Sequence, residues 1–294
     1  MLHAIEFTEQ DRKSVRFSLF TKVVFCLMLR LSTLLLLVAV AFPKEGGAKH
    51  WIHVDSDAPK SEKTALLILN GFGGTRGGCK AQMAYWEDSG MDVYIADVLL
   101  RKSLAASTEA LADFVEEYDL AEYGEIKAIC YIAGAYLLHT QVLATPMPNL
   151  TAIVYDRSPT QERAPAAAME RIPKLGMLKL GRILRDLSEV VWPPVPTGEH
   201  LHKGLIIENR ATPLMRFLQA EAKAMGPLVY DWRAIDPTAH DAFHVALDHD
   251  MMYVRWDVLG EPMRYFFEHG QFPEGLPRKR IHYRPFDARY PVPE

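Results

Sequence analysis

Histidines and carboxylates that could move protons mark two regions of the chain. His240, His244 and His249 lie within ten residues of one another, and Asp156 ends an apolar run much earlier. An imidazole exchanges a proton near neutral pH, and a carboxylate beside it can support its charge. Open α/β sheets place their chemistry at the carboxyl ends of strands, so Asp156 is a candidate carboxylate. The alternative is a turn residue paired with Arg157.

The pattern of potential ligands argues against a metal site. His240 and His244 are four residues apart, but the glutamate that zinc proteases place between such histidines is absent. Three cysteines, Cys26, Cys79 and Cys130, are too scattered for a zinc cluster. Neither a G-x-G-x-x-G run nor a terminal Gly-Lys-Ser/Thr occurs. We therefore expect no metal and no cofactor.

Apolar strands alternate with helices through the first half of the chain. Residues 64–70 form a continuous apolar run typical of a strand buried on both faces, and a Gly-Phe-Gly-Gly turn at 71–74 follows. The pattern then predicts a helix at 80–88, a strand at 91–98 and an amphipathic helix at 106–118. Such alternation predicts parallel βαβ units.

The stretch 126–138 has the outline of a strand that turns sharply into a helix. It resembles the nucleophile elbow of the α/β-hydrolase family, in which G-x-S-x-G carries the catalytic serine on a strained turn. On that pattern Cys130 and Gly134 stand at the two glycines, and Ile132 stands at the serine. Isoleucine has no proton to give up and no lone pair for attack. The resemblance therefore implies a hydrolase fold whose usual nucleophile is missing.

The resemblance covers roughly residues 50–272 and implies further site residues. It places the catalytic histidine at His249, before the last helix, and allows Asp156 as a catalytic acid. The family's more usual acid follows the strand at 204–209, where Ala211 now stands, so that acid is expected to be lost. The implied cleft and oxyanion-hole residues, with asparagine in place of the family's histidine, are Asn70, Gly71, Phe72, Gly73 and Ala133.

The expected architecture is the α/β-hydrolase fold, a mostly parallel sheet flanked by helices, with a helical cap inserted into it. A short strand at 228–232 and a last helix at 251–269 complete the predicted core. Leucines among basic residues and a Trp-Pro-Pro run make 159–203 similar to a cap; the alternative is a helical insertion packed on its own domain. The expected segments are a core at 48–158 and 204–272, a cap at 159–203 and an extended tail at 273–294.

Residues 1–42 have the pattern of a targeting segment. The run 31–42 is almost wholly apolar, and Ala-Val-Ala at 39–41 supplies the small-x-small pattern that signal peptidase requires. A start at Met28 would leave a compact secretory signal, whereas residues 17–42 could otherwise act as an uncleaved anchor. We expect export to the periplasm or extracellular space, or membrane anchoring facing outward.

The charge pattern excludes one class of partner. The chain has 33 basic and 37 acidic side chains, a formal net charge of -4, without the basic patch that nucleic-acid binding requires. The fold resemblance implies instead an apolar or ester-like small molecule, or a protein partner. Membrane association through residues 17–42 or the cap is a further option.

Three functions stay open at this point. The first is a hydrolase-like protein of the cell envelope that lacks catalysis and binds a ligand or partner in the old cleft. The second is an active ester hydrolase with a displaced nucleophile, such as Ser158 or Cys79, or with Asp156 and His249 activating water. The third is a purely structural protein, which a cleft filled by side chains would favour. A serine or cysteine within hydrogen-bond reach of a cleft histidine would favour the second.

Overall fold

The computed structural model describes residues 49–54, 57–281 and 284–289, all of which belong to the unit Phe42–Glu294. The targeting segment expected at 1–42, with its alternative start at Met28, lies outside the described residues. Within the described part, no helix is long and apolar enough to cross a membrane.

A seven-stranded sheet organises the described residues. Its strands are β1 (Trp51–His53), β2 (Thr64–Leu69), β3 (Asp92–Ala96), β4 (Glu125–Cys130), β5 (Leu150–Arg157), β6 (His202–Glu208) and β7 (Asp241–Val245). The spatial order is β1-β3-β2-β4-β5-β6-β7, in which β1 is antiparallel to β3 and the other neighbours are parallel. The predicted mostly parallel sheet is confirmed, and the carboxyl ends of β4 to β7 meet at one edge.

Helices connect the strands and cover both faces of the sheet. They are α1 (Arg76–Trp86), α2 (Leu104–Glu117), α3 (Ile132–Ala144), α4 (Ala164–Arg171), α5 (Pro173–Leu180), α6 (Ile183–Glu189), α7 (Pro213–Phe217), α8 (Gln219–Ala224), α9 (Trp232–Ile235), α10 (His249–Met252) and α11 (Trp256–His269). Short 3-10 helices occur at Lys60–Glu62, Leu120–Glu122 and Gln161–Arg163.

The central strand β2 shows why an unbroken apolar run forms a strand here. Ala65, Leu67 and Leu69 face the core layer that contains apolar residues of α2 and α3. Leu66 and Ile68 face the opposite layer, which α1 and α11 cover. All five side chains are completely buried. Because helices cover both faces, β2 has no polar side, as expected for a central parallel strand.

One predicted strand is wrong. The stretch 228–232 contains no strand, since Leu228 packs partly buried against the core while Val229 is largely exposed. The last strand is β7, whose polar residues hide it from an apolar-run criterion. These polar residues have partners: Asp241 pairs with Arg278 at 2.8 Å, and His244 Nδ1 lies 3.0 Å from Asn209 Nδ2.

The segment 159–203 contains α4, α5 and α6, followed by a stretch from residue 190 to 198 with neither helix nor strand. Helices α4 and α6 pack on α7 and α8 through a separate apolar cluster of Ala167, Ala168, Leu184, Ala211, Met215, Leu218 and Ala222. The segment is therefore fastened to the domain by its own small core. That this segment is a cap over the site stays a prediction, as do the segment boundaries.

Candidate active site

His249 lies at the junction between the last strand and the helices that follow it. It is the first residue of α10, and Asp248 caps that helix by accepting a hydrogen bond from the backbone N–H of Met251. The imidazole is buried, with Nδ1 directed at two carboxylates. The distances from Nδ1 are 2.6 Å to Glu208 Oε1 and 3.0 Å to Asp156 Oδ2.

The register of three neighbouring strands brings these groups together. Asp156 on β5 pairs with Ile206 on β6, and Glu208, two residues further along β6, pairs with Val245 on β7. Side chains two residues apart on a strand share a face, so both carboxylates are presented on the same side, near His249. The sequence-predicted pair of Asp156 and His249 is thus in contact.

Glu208 was missed by sequence reasoning. The acid was sought after β6, as an aspartate at the place of Ala211, whereas Glu208 is the last residue of the strand itself. An acid at the carboxyl end of an apolar strand was the signal that selected Asp156. The same criterion, applied to the next strand, would have selected Glu208.

Asp156, Glu208 and His249 are each at most 5% exposed. Burial by itself would lower the pKa of His249, but the charges of Glu208 and Asp156 reverse this and raise it well above 6.5. Burial, reinforced by repulsion from Asp156, raises the pKa of Glu208 well above 4.5. His249 and Glu208, whose pKa values are both raised, therefore titrate together as one unit.

The chemistry of Asp156, Glu208 and His249 would suit a metal, since one ligand atom from each lies within 4.8 Å of the others. Two ligands bound tetrahedrally to zinc at about 2.0–2.2 Å stand roughly 3.4 Å apart. The 2.6 Å separation of Nδ1 and Oε1 is shorter and matches a charge-assisted hydrogen bond. The arrangement fits a proton between these atoms better than a metal ion.

The other ring nitrogen of His249 faces a tyrosine. Tyr253 Oη lies 3.2 Å from Nε2 and accepts a hydrogen bond of 3.3 Å from the backbone N–H of Gly71. The ring lies against the glycine loop so closely that a Cβ on Gly73 would come within 2.3 Å of Tyr253 Cε2. Tyr253 is 1% exposed. Its hydroxyl therefore fills the space between the histidine and the expected oxyanion donor.

Tyr131 packs against Tyr253 and helps to hold it in this position. Its ring stacks on Tyr253 with centroids 4.1 Å apart, and its hydroxyl donates to the carbonyl of Met252 at 3.0 Å. Gln82 donates to the same hydroxyl and exchanges a pair of hydrogen bonds with Asn70. Asn70 thus supports the loop from behind through α1, and the structure does not bring it to His249.

The strand-to-helix turn differs from the strained elbow that the resemblance implied. Tyr131 has φ -82° and ψ 162°, an ordinary extended conformation, and Asp119 is the non-glycine residue with positive φ among those described. Ile132 is the first residue of α3. Gly134 keeps the role of a packing glycine, because a Cβ there would approach the carbonyl oxygen of Leu69 to 2.0 Å.

Of the remaining predicted cleft residues, Ala133 lies next to Gly71 and Phe72 does not. The amide nitrogen of Ala133 lies 3.9 Å from the place of a Cβ on Gly71, so these two backbone groups are neighbours, as the resemblance implied. Phe72 is half-buried and packs instead against the core layer of α2 and α3.

Neither candidate for a displaced nucleophile reaches His249. Ser158 Oγ lies 3.3 Å from Thr160 Oγ1 and accepts a hydrogen bond from the amide of Gln161. Cys79 Sγ accepts from Asn70 Nδ2 at 3.5 Å, and burial raises the pKa of its thiol to about 11. Within the described part of the chain, His249 is bonded to no serine or cysteine.

Open space remains next to this filled centre. A cavity of about 140 Å³ lies beside Ile132, on the sheet edge where β5 ends. Its walls come from α3, β5, α9 and the irregular stretch after α6; they are Ile132, Ala135, His139, Tyr155, Arg157, Trp192, Pro193, Val195, Ile235 and Asp236.

No protein-family model matches the sequence, and the comparison with curated proteins gives no match. Among solved structures, the chain is similar to the mature form of Bacillus licheniformis lipase BlEst2, with a TM-score of 0.54 and 12% identity over 75% of this chain and 97% of that chain. It is also similar to Est1E from Butyrivibrio proteoclasticus, with a TM-score of 0.50 and 11% identity over 76% and 99%. The sheet order, the crossovers and these likenesses show that the chain has the α/β-hydrolase fold.

Proposed function

We propose that this protein does not hydrolyse esters and instead binds a ligand in the cavity beside Ile132. The observation that carries the proposal is the Tyr253 hydroxyl, which lies 3.2 Å from His249 Nε2 and accepts from the Gly71 amide. A general base needs a free nitrogen within hydrogen-bond reach of the proton it removes. Here the buried hydroxyl of Tyr253 already lies within hydrogen-bond distance of that nitrogen.

The surroundings of His249 support the same proposal. Attack on an ester needs a nucleophile next to the histidine and a place for the carbonyl oxygen. Ile132 supplies no nucleophile, and Ser158 and Cys79 are bonded elsewhere. Tyr253 covers the Gly71 donor that an oxyanion would use. Water activation by Asp156 and His249 meets the same obstacle, because the Tyr253 hydroxyl already lies within hydrogen-bond distance of Nε2.

The test is hydrolysis of short and long acyl esters by the full chain and by a His249→Ala variant. We expect no turnover above buffer for either protein, and no labelling by a fluorophosphonate probe that reacts with activated serines. A Bacillus lipase serves as the positive control. Turnover by the unchanged protein that disappears in His249→Ala would contradict the proposal and point to the active ester hydrolase instead.

We also propose that the protein acts outside the cytoplasm, in the cell envelope or beyond it. The support is the apolar run 31–42 with its Ala-Val-Ala pattern. N-terminal sequencing of the native protein should find a start close to Phe42 if the segment is a cleaved signal. A start at Met1 or Met28 in protein from the cytosolic fraction would contradict export.

A further inference from the structure

We propose that the cavity beside Ile132 binds a small monocarboxylate, with the carboxylate on Arg157 and the apolar part of the ligand against Ile132 and Trp192. This inference rests on the proposed non-catalytic binding function and names the ligand class. The cavity lies outside the cluster around His249 and shares none of its three charged residues.

Arg157 supplies the specific recognition. It is the last residue of β5, and its Nε donates to Glu162 Oε1 at 2.7 Å. Its Nη1 and Nη2 make no hydrogen bond to any residue of the described ranges, and Arg157 is one of the residues that line the cavity. Two parallel N–H groups of a guanidinium match the two oxygens of a carboxylate in a bidentate pair. The free edge of Arg157 therefore offers this pair to a ligand.

The other polar groups of the cavity are already engaged. Asp236 pairs with Lys203 at 3.1 Å and also accepts from the hydroxyl and amide of Thr238. His139 Nε2 lies 2.9 Å from the Tyr155 hydroxyl, and burial lowers the pKa of this imidazole to about 4. His139 is thus neutral and Asp236 is compensated at neutral pH. The attraction for an anion comes from Arg157.

The remaining walls are apolar and define the size of the ligand. Ile132, Ala135 and Ile235 line one part of the cavity, and Trp192 and Val195 from the irregular stretch cover another. A cavity of about 150 Å³ can hold benzene, and this one measures about 140 Å³. An aromatic ring or a chain of roughly five carbons therefore fits beside a carboxylate at Arg157. Benzoate and hexanoate are the matching probes.

The experiment measures binding to the full chain by isothermal titration calorimetry. The ligands are benzoate and hexanoate, with benzyl alcohol and hexan-1-ol as uncharged counterparts. We expect both acids to bind, and both alcohols to bind at least tenfold more weakly. Arg157→Gln should weaken the acids at least tenfold. The matched control is Arg182→Gln, which removes an exposed arginine just before α6 that does not line the cavity, and it should leave binding unchanged.

A second variant protects the test against misfolding of Arg157→Gln. Ile132→Trp fills the cavity and leaves Arg157 intact, so it should abolish binding of both acids while circular dichroism stays that of the unchanged protein. Absence of binding by the unchanged protein at 10 mM ligand, equal affinity for acids and alcohols, or unchanged binding in a folded Arg157→Gln variant would each overturn the inference. The ester assay on the same samples separates this outcome from failure of the proposed function.

Discussion

The hydroxyl of Tyr253 lies 3.2 Å from Nε2 of His249, the nitrogen that in a serine hydrolase accepts the proton of the nucleophile. On the opposite side of the ring, Nδ1 contacts two carboxylates where a working triad needs one. Both ends of the imidazole are therefore occupied by buried groups of the protein itself. Asp156, Glu208, His249 and Tyr253 thus form one buried polar cluster.

Removal of the Tyr253 hydroxyl should destabilise the fold. Tyr253→Phe leaves His249 Nε2 and the Gly71 amide buried without a partner, which costs about 1–3 kcal/mol of unfolding free energy. Urea denaturation at pH 7 measures the change. Tyr265→Phe, on a tyrosine near the surface that stacks on His269, is the control and should change the free energy by less than about 0.5 kcal/mol. Equal effects of the two substitutions would show that the hydroxyl of Tyr253 has no special role.

The glycine loop should tolerate a methyl group only where Tyr253 is absent. A Cβ at Gly73 would stand 2.3 Å from the Tyr253 ring, so Gly73→Ala should cost about 1–3 kcal/mol through overpacking. In a Tyr253→Ala background the same change should cost much less, and a double-mutant cycle measures the difference. Gly77→Ala is the control, because its nearest contact is Thr75 Oγ1 at 3.7 Å and the residue lies in helix α1. Additive effects of Gly73→Ala and Tyr253→Ala would contradict this packing.

Stability should decline as the pH rises, from about 4.5 for the contribution of Glu208 and from about 6.5 for that of His249. The folded pKa of His249 lies well above its unfolded value of 6.5, and that of Glu208 well above 4.5. The folded state therefore binds more protons, so its advantage is complete at low pH and is lost as the pH rises through the folded values. Urea denaturation at pH 6 to 9 should show a falling free energy of unfolding.

The same pH series identifies the responsible groups. Glu208→Gln removes the main charge that raises the pKa of His249, so the decline should become shallower. Glu189→Gln, on an exposed acid of helix α6, should leave the slope unchanged. A slope in Glu208→Gln equal to that of the unchanged protein would assign the pH dependence to other groups.

A serine at position 132 should not restore catalysis. Ile132 is the first residue of α3 and lines the cavity, whereas Tyr131 is the residue whose ring lies near His249, with centroids 6.3 Å apart. His249 Nε2 would still be covered by Tyr253. Ester hydrolysis by Ile132→Ser should therefore equal that of buffer alone, for short and long acyl chains alike. Robust turnover that is lost on adding His249→Ala would contradict the position assigned to Tyr253.

Local sequence patterns predicted most of the strands and their order along the chain. Continuous apolar runs identified β2 to β6, because strands covered on both faces admit few polar residues. The same criterion failed at β7, where Asp241 pairs with Arg278 and His244 with Asn209, and at 228–232, where Leu228 and Tyr230 pack on the core without forming a strand. An apolar run in the sequence indicates that a segment is buried. It does not show whether the buried segment is a strand or a loop.

The sequence by itself predicted a mostly parallel, hydrolase-like sheet with Asp156 and His249 as candidate site residues, and it determined that positions 131–133 hold no serine. Those features depend on residue identity and on spacing within single elements. Only the tertiary structure decided that Glu208 joins the pair and that Tyr253 fills the space above it. The reason is that these contacts join residues 41 and 182 positions apart, and their geometry depends on strand register and on the close approach of a tyrosine ring to glycine backbone.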